Sequence, residues 1–169
     1  MTGAIFYTTR YGSTAQYARW IAEATDLPAF DAKADGANPA TFGFLVLGSP
    51  VIYHRLSIGK WARRHLPTLL DRPVILFSVS GAGPGPKLDG WIQASLPAEL
   101  IAHADHVALL GRQSPDALTL FDRMMLIIGG LMNPDPKASN EEMKGFDFMD
   151  KASIGPVVDR IIALKTLTA

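Results

Sequence analysis

The chain has 169 residues, of which 48% are hydrophobic and 19% charged, a balance that fits one folded domain with a core and excludes a disordered segment. Sixteen Lys and Arg offset sixteen Asp and Glu, so no overall basic field favours non-specific nucleic-acid binding. The absence of cysteine excludes disulfides, thiol catalysis and cysteine-ligated metal centres. We expect a single domain over residues 1–169, without nucleic acid as a partner.

Short apolar runs alternate with helical stripes along the chain, and this alternation predicts an α/β fold with a mostly parallel sheet. The third run is apolar throughout, which is typical of a strand buried on both faces. Pro67 is expected to end the second helix. In chain order, the predicted elements are a strand at 4–9, a helix at 13–25, an edge strand at 29–31, a strand at 44–48, a helix at 58–66, a strand at 74–79, a helix at 88–96, a strand at 106–110 and a helix at 157–164.

The N-terminus and the apolar runs bear on the location of the protein. Residues 1–3 lead directly into an apolar run without the basic region of a secretory signal. No uncharged stretch reaches the roughly 20 residues that are needed to cross a bilayer. These features predict a cytoplasmic protein, with a peripheral position at the inner face of the membrane as the alternative.

The loop after the first predicted strand is rich in hydroxyl groups and opens a helix. Ligands of parallel α/β sheets bind at the carboxyl ends of the strands, and a helix N-terminus offers free amides to a phosphate. The alternative is that Ser13 or Thr14 only caps the helix. The candidate phosphate-binding residues are Thr8, Thr9, Arg10, Tyr11, Gly12, Ser13 and Thr14.

Known nucleotide motifs do not account for this loop. The chain contains neither G-x-G-x-x-G nor a Walker sequence. Residues 81–87 are rich in glycine, but Pro86 stands where either motif requires a glycine, and proline has no amide to donate. We interpret this stretch as a turn that brings backbone close to a planar ligand.

Two further loops follow buried strands and are expected at the same edge of the sheet. The first ends in an aromatic side chain, Tyr53, which would cover a cleft, although a packed aromatic is the alternative. His54 could transfer a proton, or could simply face solvent. Together the loops would surround a phosphate and a flat heterocycle. Their candidate residues are Ser49, Pro50, Val51, Ile52 and Tyr53 in one loop and Ser80, Gly81, Ala82 and Gly83 in the other.

These loops resemble those of flavodoxin-like FMN proteins. T-T-R-Y-G-S-T is similar to their phosphate loop, and G-S-P-V-I-Y and S-V-S-G-A-G are similar to two loops that contact the flavin ring. The resemblance is closest to the menaquinone-dependent protoporphyrinogen IX dehydrogenases, through residues 8–14, F-D-R-M-M at 121–125 and F-D-F at 146–148. It departs at Arg55, because that family tends to have its basic residue before the tyrosine.

The resemblance implies a three-layer fold with a five-stranded parallel sheet in the order 2-1-3-4-5, and FMN as cofactor. It implies an enzyme that oxidises protoporphyrinogen IX or a related reduced compound and passes electrons to a quinone. Catalytic candidates are Tyr53, His54 and Arg55, and the substrate propionates would pair with Arg55, Lys87 and Arg112. The alternatives are an electron carrier of the flavodoxin type and a flavin-free interaction domain.

An insert at about 112–148 precedes the last helix, and within it residues 118–132 are apolar on nearly all sides. Such a segment must be buried or must meet lipid or a partner. A contact between subunits in a homo-oligomer, and a quinone or membrane contact, both remain open.

Two weaker patterns are a group of basic residues on one helix and a pair of histidines. Lys60, Arg63, Arg64 and His65 predict a basic helix face, either solvated or a docking patch. His103 and His106 lack a third ligand at a suitable spacing, so no metal site is expected.

Overall fold

The computed structural model describes residues 1–34, 36–113 and 146–167. The strands of the main sheet alternate with helices, as the sequence predicts. The strands are β1 (Gly3–Tyr7), β2 (Ala29–Asp31), β3 (Phe44–Ile52), β4 (Arg55–Leu56), β5 (Val74–Ser80), β6 (Asp105–Leu110), β7 (Arg112–Gln113) and β8 (Phe146–Asp147). The helices are α1 (Ser13–Thr25), α2 (Gly59–Arg64), α3 (Leu66–Leu70), α4 (Pro86–Ser95), α5 (Ala98–His103) and α6 (Gly155–Thr166), with 3-10 turns at Pro39–Thr41 and Lys151–Ile154.

Five parallel strands form the central sheet in the order β2-β1-β3-β5-β6. Without the short β4, which pairs antiparallel with the end of β3, this is the predicted order 2-1-3-4-5. At the middle of the sheet, Gly48 of β3 lies between Tyr7 of β1 and Phe77 of β5. The predicted α/β class and strand order are therefore confirmed.

Each face of the sheet carries its own hydrophobic cluster, because successive side chains of a strand point to opposite faces. Phe6, Leu45 and Leu76 pack on the side that is covered by α2, α3, α4 and α5. Ile5 and Phe77 pack on the side that is covered by α1 and α6. The result is the three-layer arrangement that the sequence resemblance implies.

The prediction that Pro67 ends the second helix is wrong. The helical region breaks two residues earlier, at His65, whose φ of −104° and ψ of 14° separate α2 from α3. Pro67 lies in the first turn of α3. Amides of a first turn make no intrahelical hydrogen bond, so a proline without an N–H is tolerated there. The sequence analysis also missed α5, which is only six residues long.

The third strand is longer than predicted, and this changes the middle loop of the candidate site. Residues 49–52, predicted as loop, continue β3 as far as Ile52. The strand continues because β5 still pairs with Ser49 and Pro50, and because β4 folds back against Val51 and Ile52. Only Tyr53 and His54 form a turn.

A small antiparallel pair, β7 with β8, joins the two ends of the predicted insert. The F-D-F motif at 146–148 begins in β8. The apolar segment 118–132 and the F-D-R-M-M motif at 121–125 lie outside the described residues. Over the ranges that are described, no helix is long and apolar enough to cross a membrane.

Candidate functional site

The loop between β1 and α1 turns sharply at Gly12, whose φ of 92° is in the left-handed region that favours glycine. The Gly12 N–H donates to Thr9 Oγ1 at 3.1 Å, which closes the turn. No heavy atom lies within 4 Å of the position that a Cβ on Gly12 would occupy. The loop before α1 is therefore open at Gly12, and the hydrogen bond between Gly12 and Thr9 holds its shape.

Thr14 supplies the observation that tests whether this loop fits a phosphate. Its side chain is 1% exposed, and its Oγ1 has no hydrogen-bond partner among the described residues. Leaving a buried hydroxyl unpaired costs about 1–3 kcal/mol. Thr14 lies in the first turn of α1, where amide groups also lack intrahelical partners, so a phosphate oxygen would satisfy both. The residues present fit the phosphate of FMN.

Two other hydroxyl groups of the loop already have partners. Thr8 Oγ1 shares a 2.5 Å hydrogen bond with Ser57 Oγ, just beyond β4. Ser13 Oγ donates to the Arg112 carbonyl at 3.2 Å and is 3.4 Å from the Arg112 amide nitrogen, which donates to it. These contacts hold the loop against the neighbouring strands. A direct role for Thr8 and Ser13 in phosphate binding stays a prediction.

The hairpin turn at Tyr53 and His54 is backbone-strained. Their φ values of 48° and 62° are both left-handed, in a two-residue turn of the kind that usually takes Asn-Gly. Such strain costs energy and is concentrated at functional sites. The turn leaves Tyr53 47% exposed, with the Arg10 guanidinium 5.8 Å from the centre of its ring. Arg10 thus brings the phosphate loop and the predicted aromatic wall together.

The same turn contacts α4 through an aromatic pair that the sequence analysis missed. The His54 and Trp91 rings are stacked, with centroids 5.2 Å apart and planes at 14°. Lys87 Nζ lies 5.3 Å from the centre of the Trp91 ring. The four-residue spacing of Lys87 and Trp91 on one helix was the available signal. His54 is exposed, and one face of its ring lies against Trp91.

The loop after β5 is shaped by its own hydrogen bonds. Ser80 Oγ donates to the Ala82 carbonyl at 2.8 Å, and the Ser80 carbonyl accepts from the Gly111 amide at 2.9 Å. Gly81 and Gly83 are exposed. The small residues leave backbone groups accessible at the carboxyl edge of the sheet. Their contact with a planar ligand stays a prediction.

Ser49 does not belong to the accessible part of the site. It is fully buried, donates to the Pro50 carbonyl at 3.0 Å and accepts from the Ile58 amide at 3.2 Å. Pro50, Val51 and Ile52 are strand residues, and Val51 and Ile52 are half-buried. The structure therefore brings Tyr53 from this group into the turn and leaves the others in the sheet.

Tyr17 is a second residue that the sequence analysis did not assign to the site. Its buried hydroxyl donates to the Leu110 carbonyl at 2.7 Å and accepts from the Asp150 amide at 3.2 Å. It thereby joins α1, the end of β6 and the approach to α6. No short sequence pattern signals these contacts, because they are 93 and 133 residues apart in the chain.

The two histidines considered for a metal have unrelated partners. His103 Nε2 lies 2.7 Å from the Arg72 carbonyl oxygen, and the half-buried His106 has its Nε2 2.8 Å from Ser78 Oγ. Burial lowers the pKa of His106 below its ordinary value of 6.5, although the charges of Asp89 and Asp105 oppose the shift. The fold therefore favours a neutral imidazole at this position.

This pKa shift predicts acid sensitivity. Below about pH 6.5 the unfolded chain binds a proton at His106 more readily than the native protein, so the free energy of unfolding falls as the pH drops. His106→Gln keeps a group that can bond Ser78 and removes the titration, so we expect a smaller loss of stability. Urea unfolding at pH 7.5 and pH 5.5 measures this loss in both proteins. An equal loss in the variant would contradict the role of His106.

His65 adds a contribution of the same sign to the acid sensitivity. Burial, and after it the charge of Arg64, lowers the pKa of His65. The variant His65→Gln should therefore also reduce the loss of stability on acidification, and the double variant with His106→Gln should show the smallest loss.

Comparison with known proteins gives one matching family and several similar solved structures. The flavodoxin domain family matches residues 4–139. Similar solved structures include a flavodoxin from the domain Archaea, with 12% identity, coverage of 96% of this chain and 99% of that one, and a TM-score of 0.48. A Fusobacterium nucleatum flavodoxin bound to flavin mononucleotide has 17% identity, 68% and 72% coverage and a TM-score of 0.46. The Bacillus subtilis Trp repressor binding protein has 14% identity, 84% and 95% coverage and a TM-score of 0.48.

No curated protein matches the sequence significantly. The family match nevertheless covers most of the chain, including all three loops of the candidate site. It confirms the prediction of FMN as the cofactor and supports a redox role. The chain belongs to the flavodoxin domain family.

Proposed function

We propose that the chain is an FMN-dependent oxidoreductase that oxidises protoporphyrinogen IX, or a related reduced compound, with a quinone as acceptor. The observation that supports FMN binding is that an unpaired hydroxyl and an exposed aromatic ring belong to neighbouring loops of the candidate site. The buried Thr14 hydroxyl lacks a partner at the phosphate loop, and Arg10 of that loop lies beside the exposed ring of Tyr53. The chain therefore offers a phosphate site and an aromatic surface side by side.

The residues of this chain have distinct roles in the proposal. Thr14 and the first amides of α1 would bind the phosphate, and Tyr53 would contact the flavin ring. Backbone groups of residues 80–83 would contact its polar edge. FMN supplies hydride and electron transfer when it is bound, while the protein orients it and controls access.

The substrate part rests on charge and on the resemblance seen in the sequence. Arg55, Lys87 and Arg112 are exposed and form no ion pair among the described residues. Guanidinium and ammonium groups suit the carboxylates of propionate side chains. His54, held against Trp91, is the group available to accept a proton from the substrate.

Replacing Tyr53 by alanine should weaken FMN binding by about tenfold, since an aromatic contact contributes about 0.5–1.5 kcal/mol beyond its buried area. Fluorescence titration of the apoprotein with FMN measures the dissociation constant. Tyr53→Phe is the control, because it keeps the ring and should bind FMN nearly as well as the wild type. Unchanged affinity in Tyr53→Ala would remove the ring contact from the proposal.

The reaction is tested by the visible spectrum of the FMN-loaded protein under anaerobic conditions while protoporphyrinogen is added. Loss of the oxidised flavin band at a catalytically useful rate, followed by its return when a quinone is supplied, is the expected result. A bound flavin that stays oxidised would exclude this donor and leave the family and the cofactor in place.

An electron carrier is the second candidate, and family membership is the observation that favours it. A carrier should take up electrons in two separate one-electron steps. Reduction in a single two-electron step during an anaerobic dithionite titration would count against the carrier. A flavin-free domain is disfavoured by the unpaired Thr14 hydroxyl, because nothing else described in the structure satisfies it.

A further inference from the structure

The exposed face of α2 carries three positive charges. Lys60, Arg63 and Arg64 are all exposed, while Ala62 of the same helix is buried in the core. Their spacing of three and four residues places them on one side of the helix, where like charges repel and cost stability. We name Lys60, Arg63 and Arg64 the cationic ridge.

Few acidic residues lie near the cationic ridge along the chain. From residue 36 to residue 88 the only acid is Asp71, and it pairs with the adjacent Arg72 at 3.6 Å. The basic residues in the same stretch are Arg55, Lys60, Arg63, Arg64, Arg72 and Lys87. No residue of the cationic ridge forms an ion pair within the described part of the chain. The exposed acids Asp89 of α4 and Glu99 of α5 also lie on this side of the sheet, so the excess of positive charge is local to α2.

The cationic ridge lies on the same side of the sheet as the Tyr53 turn. The start of α2 packs against the end of α4, since a Cβ on Gly59 would lie 2.7 Å from the Ser95 carbonyl oxygen. Ser95 Oγ also accepts from the amide of Leu56 in β4, at 2.8 Å. Helices α2 and α4 and strand β4 therefore form one packed unit, and β4 begins directly after the turn that presents Tyr53.

We propose that the cationic ridge docks the protein reversibly on an anionic lipid surface. The proposal rests on the proposed function, because a quinone acceptor dissolves in the bilayer. Attraction between a cluster of Lys and Arg and anionic lipids depends on charge density and needs no matching geometry. Exposed Leu70 follows the cationic ridge in the chain, and an apolar side chain next to basic residues suits a membrane interface.

The test is co-sedimentation of the full chain with phosphatidylcholine vesicles prepared with and without phosphatidylglycerol. We expect binding to the anionic vesicles only, and a loss of that binding as salt is added. The triple variant Lys60→Gln, Arg63→Gln and Arg64→Gln should bind about 100-fold more weakly, since each cation near an anionic surface changes partitioning about fivefold. Thermal unfolding checks that the triple variant is folded. Its melting temperature should not fall, because the substitutions remove repulsion between the like charges of the cationic ridge.

The matched control is Arg19→Gln, Lys33→Gln and Lys151→Gln, which removes the same charge from exposed positions outside the cationic ridge. It should keep binding within about twofold of the wild type. Equal losses in both triple variants would overturn the proposal, and so would equal binding to neutral and anionic vesicles or binding to neither. An acidic protein as the true partner would give that last result.

Vesicle binding requires no redox turnover, so the two proposals fail separately. Binding without oxidation of protoporphyrinogen would refute the proposed function alone. Oxidation without vesicle binding would refute the docking proposal alone.

Discussion

Replacing Thr14 by valine should stabilise the apoprotein and weaken FMN binding, the trade-off expected where a functional group is kept at a cost in stability. The Thr14 hydroxyl is buried without a partner, so its removal should raise the free energy of unfolding by about 1 kcal/mol. A hydrogen bond to a charged phosphate contributes about 1.5–3 kcal/mol, so the FMN dissociation constant should rise about 10- to 100-fold. Urea unfolding of the apoprotein and fluorescence titration with FMN measure the two effects.

The matched control is Thr25→Val, the same substitution at the other end of α1. Thr25 is also buried, but its hydroxyl donates to the Ile21 carbonyl at 2.7 Å. This variant should lose about 1 kcal/mol of stability and bind FMN as the wild type does. If Thr14→Val binds FMN normally, or if both variants are destabilised alike, Thr14 is not a phosphate ligand.

Replacing Gly48 by alanine should destabilise the fold by about 3 kcal/mol and lower the melting temperature by about 10 °C. The added Cβ would lie 2.3 Å from Cζ of Phe77, which is fully buried between the sheet and the helices α1 and α6. The ring cannot move aside without disturbing the cluster around it, because protein interiors are close-packed. Calorimetry or thermal unfolding by circular dichroism measures the shift.

Gly90 provides the control for Gly48. It is exposed on α4, and no heavy atom lies within 4 Å of the position of an added Cβ. Gly90→Ala should therefore stabilise the protein by about 0.5–1 kcal/mol through helix propensity. In the Gly48→Ala background, Phe77→Leu should recover part of the lost stability, because the smaller side chain leaves room for the added Cβ. Additive losses in the double variant would show that the clash with Phe77 is not the cause.

The regular elements could largely be predicted because their signals are local. Helix α1 has the predicted limits, and so does the edge strand β2. The sequence missed β4 and the extension of β3, since their stability comes from pairing with each other and with β5 rather than from hydrophobic pattern. Pro67 was misread because proline breaks a helix interior but fits a first turn, and the break at His65 has no local marker.

The candidate site could be predicted as a set of loops but not as a set of contacts. Hydroxyl groups after a strand and before a helix indicated a phosphate loop, but four Ser and Thr hydroxyl groups in it have the same local appearance. Thr8 bonds to Ser57, 49 residues away, and Ser13 bonds to Arg112, 99 residues away. Thr9 accepts from the Gly12 amide, and Thr14 alone remains without a partner among the four. Only the fold decides which hydroxyl is left for a ligand.

The amino-acid sequence by itself determined the α/β class, with strands alternating with helices in a mostly parallel sheet, because apolar periodicity acts over a few residues. The resemblance of its loops to those of flavodoxin-like FMN proteins implied the three layers and the cofactor. The tertiary structure alone decided the strained turn that presents Tyr53 and the stacking of His54 on Trp91. Those features depend on hydrogen bonds and packing between segments that are distant in the chain. Their energies depend on which groups meet in space, and no short stretch of sequence contains that information.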